Sequence, residues 1–160
     1  MDAAPHFTPI GRSIGRTHKF LHAWGDRELA PLGASVTDFI LLFHIESAPE
    51  PGLSQIEIAR FSDMGGPALV RHLDRLEREG IVQRTRDAAD RRIMRVTLTD
   101  AGRARLTDIK AVIERVDEQV RSVLTPEEAD VLQTALDKVW GLALSELYAT
   151  STTPERSPLR

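Results

Sequence analysis

One stretch, SQIEIARFSDMGGPALVRHLDRLEREGIVQRTRDAADRRIMRVTLT, residues 54–99, decides the fold. It opens with Ser54 and Glu57, which have the S-x-x-E spacing of a capping box, so a helix begins there. The Gly65-Gly66 pair supplies the backbone freedom of a sharp turn. A second helix is predicted over residues 67–79, because proline suits a first helical turn and a glycine follows the last residue. The stretch therefore predicts two helices joined by a tight turn.

The second of these helices has two distinct faces. Three leucines recur at the i, i+4, i+7 spacing of a single helix face: Leu69, Leu73 and Leu76. Three arginines recur at the same spacing two positions later: Arg71, Arg75 and Arg78. Two residues correspond to about 200° of helix rotation, so the arginines lie opposite the leucines. The pattern predicts a helix that packs on one side and presents positive charge on the other. An ordinary amphipathic surface helix fits this pattern equally well, since Glu77 and Glu79 also lie on it.

The segment after the second helix predicts a two-stranded ribbon. Residues 81–86 and 93–98 read as strands, the second with alternating apolar and polar side chains, and residues 87–92 form a polar tip. From Arg71 to Arg95 the chain contains eight arginines and five acidic residues, whereas the whole chain has a net charge of −3. A basic patch on an acidic protein favours a local site for a polyanion.

At this point the sequence resembles the MarR family of bacterial transcriptional regulators. Asp90-Arg91-Arg92, followed by Leu98-Thr99 and Gly102, resembles the D-x-R-x(5)-L-T signature of that family's wing, and residues 70–84 resemble its recognition helix and first wing strand. The resemblance implies a winged helix-turn-helix that binds duplex DNA. It also implies that Arg92 enters a minor groove while Asp90 holds this arginine in place, with Arg91 as the neighbouring candidate. A purely structural ion pair within the wing is the alternative for Asp90 and Arg92.

The chain departs from the family pattern at the start of the recognition helix. Members often carry Ser or Thr there, and this chain has Gly65-Gly66-Pro67-Ala68. Backbone amides at a helix N-terminus still suit a phosphate, and Arg71 has the side chain that contacts guanine through two hydrogen bonds. The candidate DNA-contacting residues are Ser54, Gln55, Pro67, Ala68, Arg71, His72, Arg75, Arg84, Arg86, Asp90, Arg91 and Arg92.

Composition limits the remaining possibilities. A chain of 160 residues suits one domain, or one domain with a dimerisation element. It has no apolar run of membrane-spanning length and no signal-peptide pattern at its start. The absence of cysteine excludes disulfides, thiolate metal sites and thiol-based redox sensing. A cytoplasmic, nucleoid-associated bacterial protein with no membrane partner is therefore expected.

Long helices are predicted on both sides of the winged region. One begins with Thr8-Pro9 and runs to about Leu29, and an apolar helix covers roughly residues 35–47. Another runs from Thr99 to about Val123, with apolar residues stepping by 3 and 4 as in a coiled-coil seam, and the last covers roughly residues 125–148. The predicted fold class is mainly α with a small β-ribbon. The predicted domains are an N-terminal dimerisation helix (1–34), the winged helix-turn-helix (35–99), C-terminal dimerisation helices (100–150) and a disordered tail (151–160).

A homodimer is predicted because a winged module of this size is too small to cover all the flanking helices. Two-fold symmetry then places two recognition helices about one DNA turn apart, on a palindromic operator. A monomer with the flanking helices folded back on the winged module is the alternative.

Two further sets of residues are candidates for small ligands. His18 and His22 share a helix face and suit a metal ion, with polar surface histidines as the alternative, and no metal site is assigned. By family resemblance, a small aromatic or phenolic ligand would bind between the dimerisation helices and the winged region. Its candidate pocket residues are His18, His22, Trp24, Phe39 and Phe43, each of which also suits an ordinary core or interface position.

The sequence thus predicts a sequence-specific, DNA-binding transcriptional regulator, interpreted as a repressor released by a small ligand. The alternatives are a protein-interaction module with a vestigial winged domain and a metal-responsive regulator that uses His18 and His22. No catalytic motif is present, so neither an enzyme nor a cofactor is expected.

Overall fold

The computed structural model describes residues 9–62 and 64–149, and side chains only as far as residue 146. The helices and strands are α1 (Ile10–Leu29), a 3-10 turn (Ala30–Leu32), α2 (Val36–Ser47), β1 (Leu53–Ser54), α3 (Gln55–Ala59), α4 (Gly66–Arg78), β2 (Val82–Arg86), β3 (Met94–Leu98), α5 (Asp100–Arg121) and α6 (Pro126–Ala149). The predicted cap at Thr8 and the predicted disordered tail lie outside the described residues. The predicted fold class, mainly helical with a small β-ribbon, is confirmed.

The ribbon has a third strand that the sequence analysis did not predict. The antiparallel sheet has the order β1-β3-β2, with Leu53 opposite Val96 and Val82 opposite Leu98. Strand β1 is only two residues long, too short to show the alternation by which a strand is recognised in a sequence. It joins the base of the ribbon to the start of α3, because Ser54 is both the last residue of β1 and the N-cap of α3.

Capping boxes fix where three of the helices begin. The Ser54 hydroxyl accepts a hydrogen bond from the amide of Glu57, and the Glu57 carboxylate accepts one from the amide of Ser54. Ser35 and Asp38 form the same reciprocal pair at the start of α2. Such pairs satisfy backbone amides that have no partner within the helix. The capping box predicted at Ser54 is therefore confirmed, and two others lie at Ser35 and, between Thr125 and Glu128, at the start of α6.

The core of the winged region is formed by apolar side chains from most of these elements. The fully buried face of α4 consists of Leu69, Leu73 and Leu76, as its spacing predicted. The remaining buried apolar residues are Leu29, Leu41, Leu42, Ile45, Ile58, Val82, Val96, Leu98, Leu106, Ile109 and Val112. This core holds the opposite face of α4 toward solvent.

The junction of β3 and α5 depends on a close approach at Gly102. The hydroxyl of Thr99 accepts a hydrogen bond from the amide of Gly102 and donates one to the carbonyl oxygen of Gly80. A Cβ atom on Gly102 would lie 2.0 Å from the carbonyl oxygen of Ile81. The backbone of α5 therefore packs directly on the chain that leaves α4, and only glycine permits this contact.

We expect Gly102→Ala to lower the free energy of unfolding by about 1–3 kcal/mol, because the backbone of Ile81 cannot move aside as a flexible side chain would. Chemical denaturation measures the change. Gly66→Ala at the start of α4 is the matched control, since nothing lies within 4 Å of its added Cβ, and it should leave stability unchanged or raise it. Equal stability of the Gly102 variant and the wild-type protein would contradict the close approach.

The residues up to Val116 and those from Asp117 onward form two separate compact units, with α5 crossing the boundary. In the first unit, Leu106 and Ile109, two apolar residues of the predicted coiled-coil seam of α5, pack within the core of their own chain. In the second unit, α6 exposes several large apolar side chains, namely Val131, Leu132, Leu136, Val139, Trp140 and Leu142.

No single helix in the described ranges is long and apolar enough to cross a membrane. Only the pair formed by Ile10–Leu32 and Val36–Ser47, which is bent by 83°, passes a test of length and composition. Helix α2 contributes Leu41, Leu42 and Ile45 to the buried core.

Candidate nucleic-acid interface

The N-terminal half of α4 presents a small group of outward side chains. Pro67 and Arg71 are exposed, and Val70 is 40% exposed. Arg71 has no carboxylate partner in the part of the chain that the structure describes. Arg78 is exposed further along α4 and donates a hydrogen bond to the carbonyl oxygen of Asp74. The guanidinium of Arg71 is therefore available to an external ligand.

Two other predicted contact residues of α4 face the inside of the molecule. Nε2 of His72 lies 2.8 Å from Oδ1 of Asp38, and the guanidinium of Arg75 pairs with the same oxygen. Arg75 also forms an ion pair with Glu79, at 3.0 Å. Asp38 is 4% exposed and belongs to the capping box of α2. His72 and Arg75 thus attach α4 to α2.

The charge of Asp38 is stabilised where it lies. Burial alone would raise the pKa of this carboxyl, but hydrogen bonds from His72 and Ser35 and the positive charge of Arg75 lower the pKa from 3.8 to about 2. A buried carboxylate is tolerated when it is paired and hydrogen-bonded in this way. Asp38 was not among the predicted site residues, although the S-x-x-D pattern at Ser35 marks it as a capping residue.

Arg84 of β2 neutralises two carboxylates of α4. Its Nη1 lies 2.6 Å from Oδ1 of Asp74 and 3.3 Å from Oε2 of Glu77. Its Nε and Nη2 are buried without a hydrogen-bond partner among the described residues, which offsets part of the gain from the ion pairs. Arg84 is therefore placed to cancel negative charge on α4, whereas the sequence analysis proposed it as a DNA contact.

We expect Arg84→Ala to weaken duplex binding about fivefold at low salt, because two uncompensated carboxylates would face the phosphates and one close charge interaction in water is worth about 1 kcal/mol. Fluorescence anisotropy with a labelled duplex measures the change. Adding Asp74→Asn to the Arg84 variant should recover most of the lost affinity. An Arg84 variant that binds as tightly as the wild-type protein would contradict the proposed neutralisation.

The tip of the wing carries an almost fully exposed arginine. Arg92 is 90% exposed, and its guanidinium donates to both oxygens of Asp90, at 3.0 and 2.8 Å. Hydrogen bonds from the side chain and backbone of Arg92 lower the pKa of Asp90. Arg86 donates to the carbonyl oxygen of Arg91 at 3.1 Å, and both side chains are exposed. Asp90 thus orients Arg92 at the tip of the ribbon, next to two further arginines.

A second carboxylate stabilises the wing through hydrogen bonds within the ribbon. Asp87 is 8% exposed and accepts hydrogen bonds from the amides of Ala89 and Asp90, as well as one from Nε of Arg95 at 2.7 Å. The hydrogen bond from Arg95 and those from the backbone lower its pKa from 3.8 to about 2. Arg95 also reaches Glu57 at the start of α3, at 2.9 Å. Arg95 therefore connects the wing to α3, a role that sequence analysis missed.

The predicted contact residues at the N-termini of α3 and α4 have different environments. The hydroxyl of Ser54 is occupied as the cap of α3, and Gln55 is half-buried beside it. Pro67 is exposed at the start of α4, and Ala68 next to it is half-buried.

Much of the basic patch counted in the sequence is thus internally paired. Arg75, Arg84, Arg92 and Arg95 each form ion pairs with carboxylates of the same chain. Within the described residues, the arginines of this region without a carboxylate partner are Arg71, Arg78, Arg86 and Arg91. These four and the outward-facing Arg92 form a cationic surface that extends from α4 to the wing tip.

The predicted small-ligand residues lie in separate groups. On α1, the rings of His18 and His22 are 5.8 Å apart, and Nδ1 of His22 lies 3.2 Å from Asp26. On α2, the rings of Phe39 and Phe43 are 5.7 Å apart, with Nζ of Lys110 5.5 Å from the centre of the Phe43 ring.

Trp24, the remaining residue of the predicted pocket, donates a hydrogen bond to Glu28 on the same helix. A small cavity lies elsewhere, between the turn at Gly33 and helices α2, α4 and α5, with Asp38, Arg75 and Arg105 among its lining residues. Among residues 9–62 and 64–149, no cluster of three or more His, Asp or Glu side chains has the arrangement of a metal site.

A helix-turn-helix with an exposed cationic helix face, followed by an arginine-tipped antiparallel ribbon, defines a winged helix-turn-helix protein. The family model described as "MarR family" matches residues 32–93, which include α2, the helix-turn-helix and most of the wing. Solved structures of MarR-family proteins are similar over most of this chain. Residues 32–93 therefore match the MarR family, and the comparisons support a winged helix-turn-helix protein of the DNA-binding transcriptional-regulator type.

Three solved structures illustrate the similarity. Wild-type MarR from Escherichia coli, in its apo form, is 27% identical with a TM-score of 0.74, over 84% of this chain and 98% of that one. The transcriptional repressor CouR, bound to a 23-mer DNA duplex, is 29% identical with a TM-score of 0.74, over 82% of this chain and 92% of that one. The Mycobacterium tuberculosis MarR family protein Rv2887, in complex with p-aminosalicylic acid, is 29% identical with a TM-score of 0.69, over 82% of this chain and 98% of that one.

Proposed function

We propose that this protein is a homodimeric, sequence-specific repressor that binds a palindromic operator in the cytoplasm, at the bacterial nucleoid. The observation that carries the proposal is the cationic surface of α4 and the wing tip. Its arginines are exposed while the acidic residues beside them are already engaged. The similarity to CouR, described as a transcriptional repressor and bound to a DNA duplex, supports the same direction of regulation.

In this proposal the predicted contact residues have different roles in DNA binding. Arg71 reads a base edge, because an available guanidinium on the outward face of a recognition helix suits the bidentate acceptors of guanine. Arg86, Arg91 and Arg92 contact phosphates or enter the minor groove from the wing. Pro67, Ala68, Ser54 and Gln55 lie where a duplex backbone would pass, at the N-termini of α4 and α3. His72, Arg75, Arg84 and Asp90 act by holding the contacting residues in place.

The homodimer follows from exposed apolar surface at both ends of the chain. On α1, Ile10 and Phe20 are exposed, and on α6 six large apolar side chains are exposed. A patch of this kind on a water-exposed protein marks an interface. We therefore propose that α1, the distal part of α5 and α6 form the dimer interface, within residues 1–34 and 100–150.

A small aromatic or phenolic acid is the ligand class we propose for release from DNA. The support comes from the relative Rv2887, which was solved with salicylic acid and with p-aminosalicylic acid. The proposed pocket uses His18, His22, Trp24, Phe39 and Phe43 at the dimer interface. A ligand acts there only if it binds the free form of the dimer more tightly than the DNA-bound form.

Two measurements test the proposed function. Sedimentation of the purified chain should give the mass of a dimer, and a reporter gene behind a duplex selected by this protein should be silenced when the protein is expressed. Salicylate should raise the reporter signal. A monomer in sedimentation contradicts the dimer, activation of the reporter contradicts repression, and an unchanged signal with salicylate contradicts that ligand class.

A further inference from the structure

The N-terminal half of α4 exposes an apolar side chain that lies outside the core. Val70 is 40% exposed and directly precedes Arg71. It lies about 100° around the helix from the buried Leu69 and about 100° from Arg71, on the flank between the leucine face and the arginine face. An apolar side chain this exposed at the edge of a buried face is accessible to a ligand that lies along the helix.

Few other side chains near Val70 are able to contact a base edge. The residues that start α4, Gly66, Pro67 and Ala68, carry no side-chain hydrogen-bond donors or acceptors. Further along the same side, Asp74 and Glu77 are engaged by Arg84. The outward side chains near the N-terminus of the helix are therefore Arg71 and the apolar groups of Val70 and Pro67. Residues at this end of a recognition helix are the ones that contact base edges.

The chemistry of the major groove limits what Val70 can contact. Base edges there present hydrogen-bond donors and acceptors, and the one apolar group among them is the C5-methyl of thymine. An isopropyl group gains from contact with that methyl and gains nothing from a polar edge left without a partner. Consecutive residues of a helix differ by about 1.5 Å in rise and about 100° in direction, so the side chains of Val70 and Arg71 can reach base pairs that lie close together in the groove.

We propose that Val70 is a specificity-determining residue, which reads the methyl group of a thymine next to the guanine contacted by Arg71. The inference rests on the proposed function, in which α4 lies in the major groove. It assigns each half of the operator a thymine beside a guanine, and it accounts for sequence reading by a helix whose first turn lacks hydroxyl side chains.

The test compares duplexes that differ only in thymine methyl groups. A tight-binding duplex is first selected from a random pool by the wild-type chain. A second duplex has the same sequence with deoxyuridine in place of thymine at the position next to the guanine in each half-site. Removal of one methyl contact should weaken wild-type binding about fourfold per half-site, the equivalent of exposing one buried methyl group. Val70→Ala should bind the two duplexes with nearly equal affinity.

Val70→Ala is expected to fold normally, since the side chain is partly exposed and alanine favours a helix. Val70→Thr keeps one methyl group and should retain part of the discrimination. Selected half-sites without a thymine beside the guanine would overturn the proposal. The proposal would also be overturned if the wild-type protein bound both duplexes with equal affinity, or if removal of the methyl weakened binding by Val70→Ala as much as binding by the wild-type protein. Loss of the dimer in Val70→Ala would overturn it as well. In all four cases duplex binding itself stands, whereas failure to select any duplex would overturn the proposed function together with this inference.

Discussion

Replacing Asp38 with alanine should destabilise the protein by about 3 kcal/mol and weaken its binding to DNA. Asp38 is buried and bonds both His72 and Arg75 of α4. Removal of one member of a buried, hydrogen-bonded charge network leaves its partners without compensation, which costs about 3–5 kcal/mol, and loss of a helix cap adds about 1 kcal/mol. We take the lower end because Arg75 retains its ion pair with Glu79. Urea denaturation measures stability, and anisotropy measures DNA affinity.

Two variants separate the role of Asp38 from a general effect of mutation. Asp38→Asn keeps the volume of the side chain and one acceptor oxygen, so we expect a smaller loss than with alanine. Asp108→Ala removes an exposed carboxylate of α5 and should change neither stability nor affinity. If Asp38→Ala were as stable as the Asp108 control, the attachment of α4 to α2 through this carboxylate would be refuted.

The same carboxylate makes stability depend on acid pH. The folded-state pKa of Asp38 is about 2, below its ordinary value of 3.8. Ionised Asp38 therefore adds stability that is fully present above about pH 4 and is lost as the pH falls toward 2. Asp87 also has its pKa lowered to about 2 and contributes in the same direction. The difference in stability between the wild-type protein and Asp38→Asn should shrink over this range, which isolates the part due to Asp38.

Arg71→Ala should lower the affinity for a selected duplex about 10- to 100-fold without changing stability. Arg71 is exposed in the N-terminal half of α4, and a bidentate contact with guanine is worth about 1–3 kcal/mol. Competition between the selected duplex and one with the contacted guanine replaced measures the effect. The variant should lose most of its preference between the two duplexes and keep its nonspecific binding.

Arg78→Ala is the matched control for Arg71. Arg78 lies on the same helix, is also exposed and has no carboxylate partner among the described residues, but it is near the C-terminal end of α4. Its loss should weaken binding to all sequences by a similar, smaller factor, as removal of a phosphate contact does. Equal effects of the two substitutions on sequence preference would contradict base reading by Arg71.

The sequence predicted the fold where the residues have a local signature. Helix α4 has a leucine repeat, a breaker before it and a glycine after it, and the structure places its buried face as the repeat predicted. The wing was recognised from Asp90, Arg92, Leu98 and Thr99, and the matched family confirms that interpretation. Strand β1 was missed, because two residues paired with a distant strand have no pattern of their own.

The candidate site was less predictable, because the sequence does not show which charges neutralise each other. Arg75 and Arg71 occupy equivalent places in the arginine repeat, yet Arg75 pairs with Asp38, 37 residues away, and Arg71 has no carboxylate partner in the ranges the structure describes. Arg84 and Arg95 likewise pair with carboxylates on α4, α3 and the wing. Such long-range pairs depend on tertiary packing. The count of basic residues therefore predicted where a polyanion would bind but not which arginines would contact it.

The central claim is that the cationic surface of α4 and the wing tip binds the duplex backbone. The salt dependence of binding tests this claim most directly, since each neutralised phosphate contributes about −0.9 to the slope of log affinity against log salt. We expect a steep slope for the wild-type protein, and a slope shallower by about 1 per protomer for Arg92→Ala. Arg103→Ala, at the start of α5 and outside this cationic surface, should keep the wild-type slope. A slope unchanged in Arg92→Ala, or a shallow one in the wild-type protein, would contradict the claim.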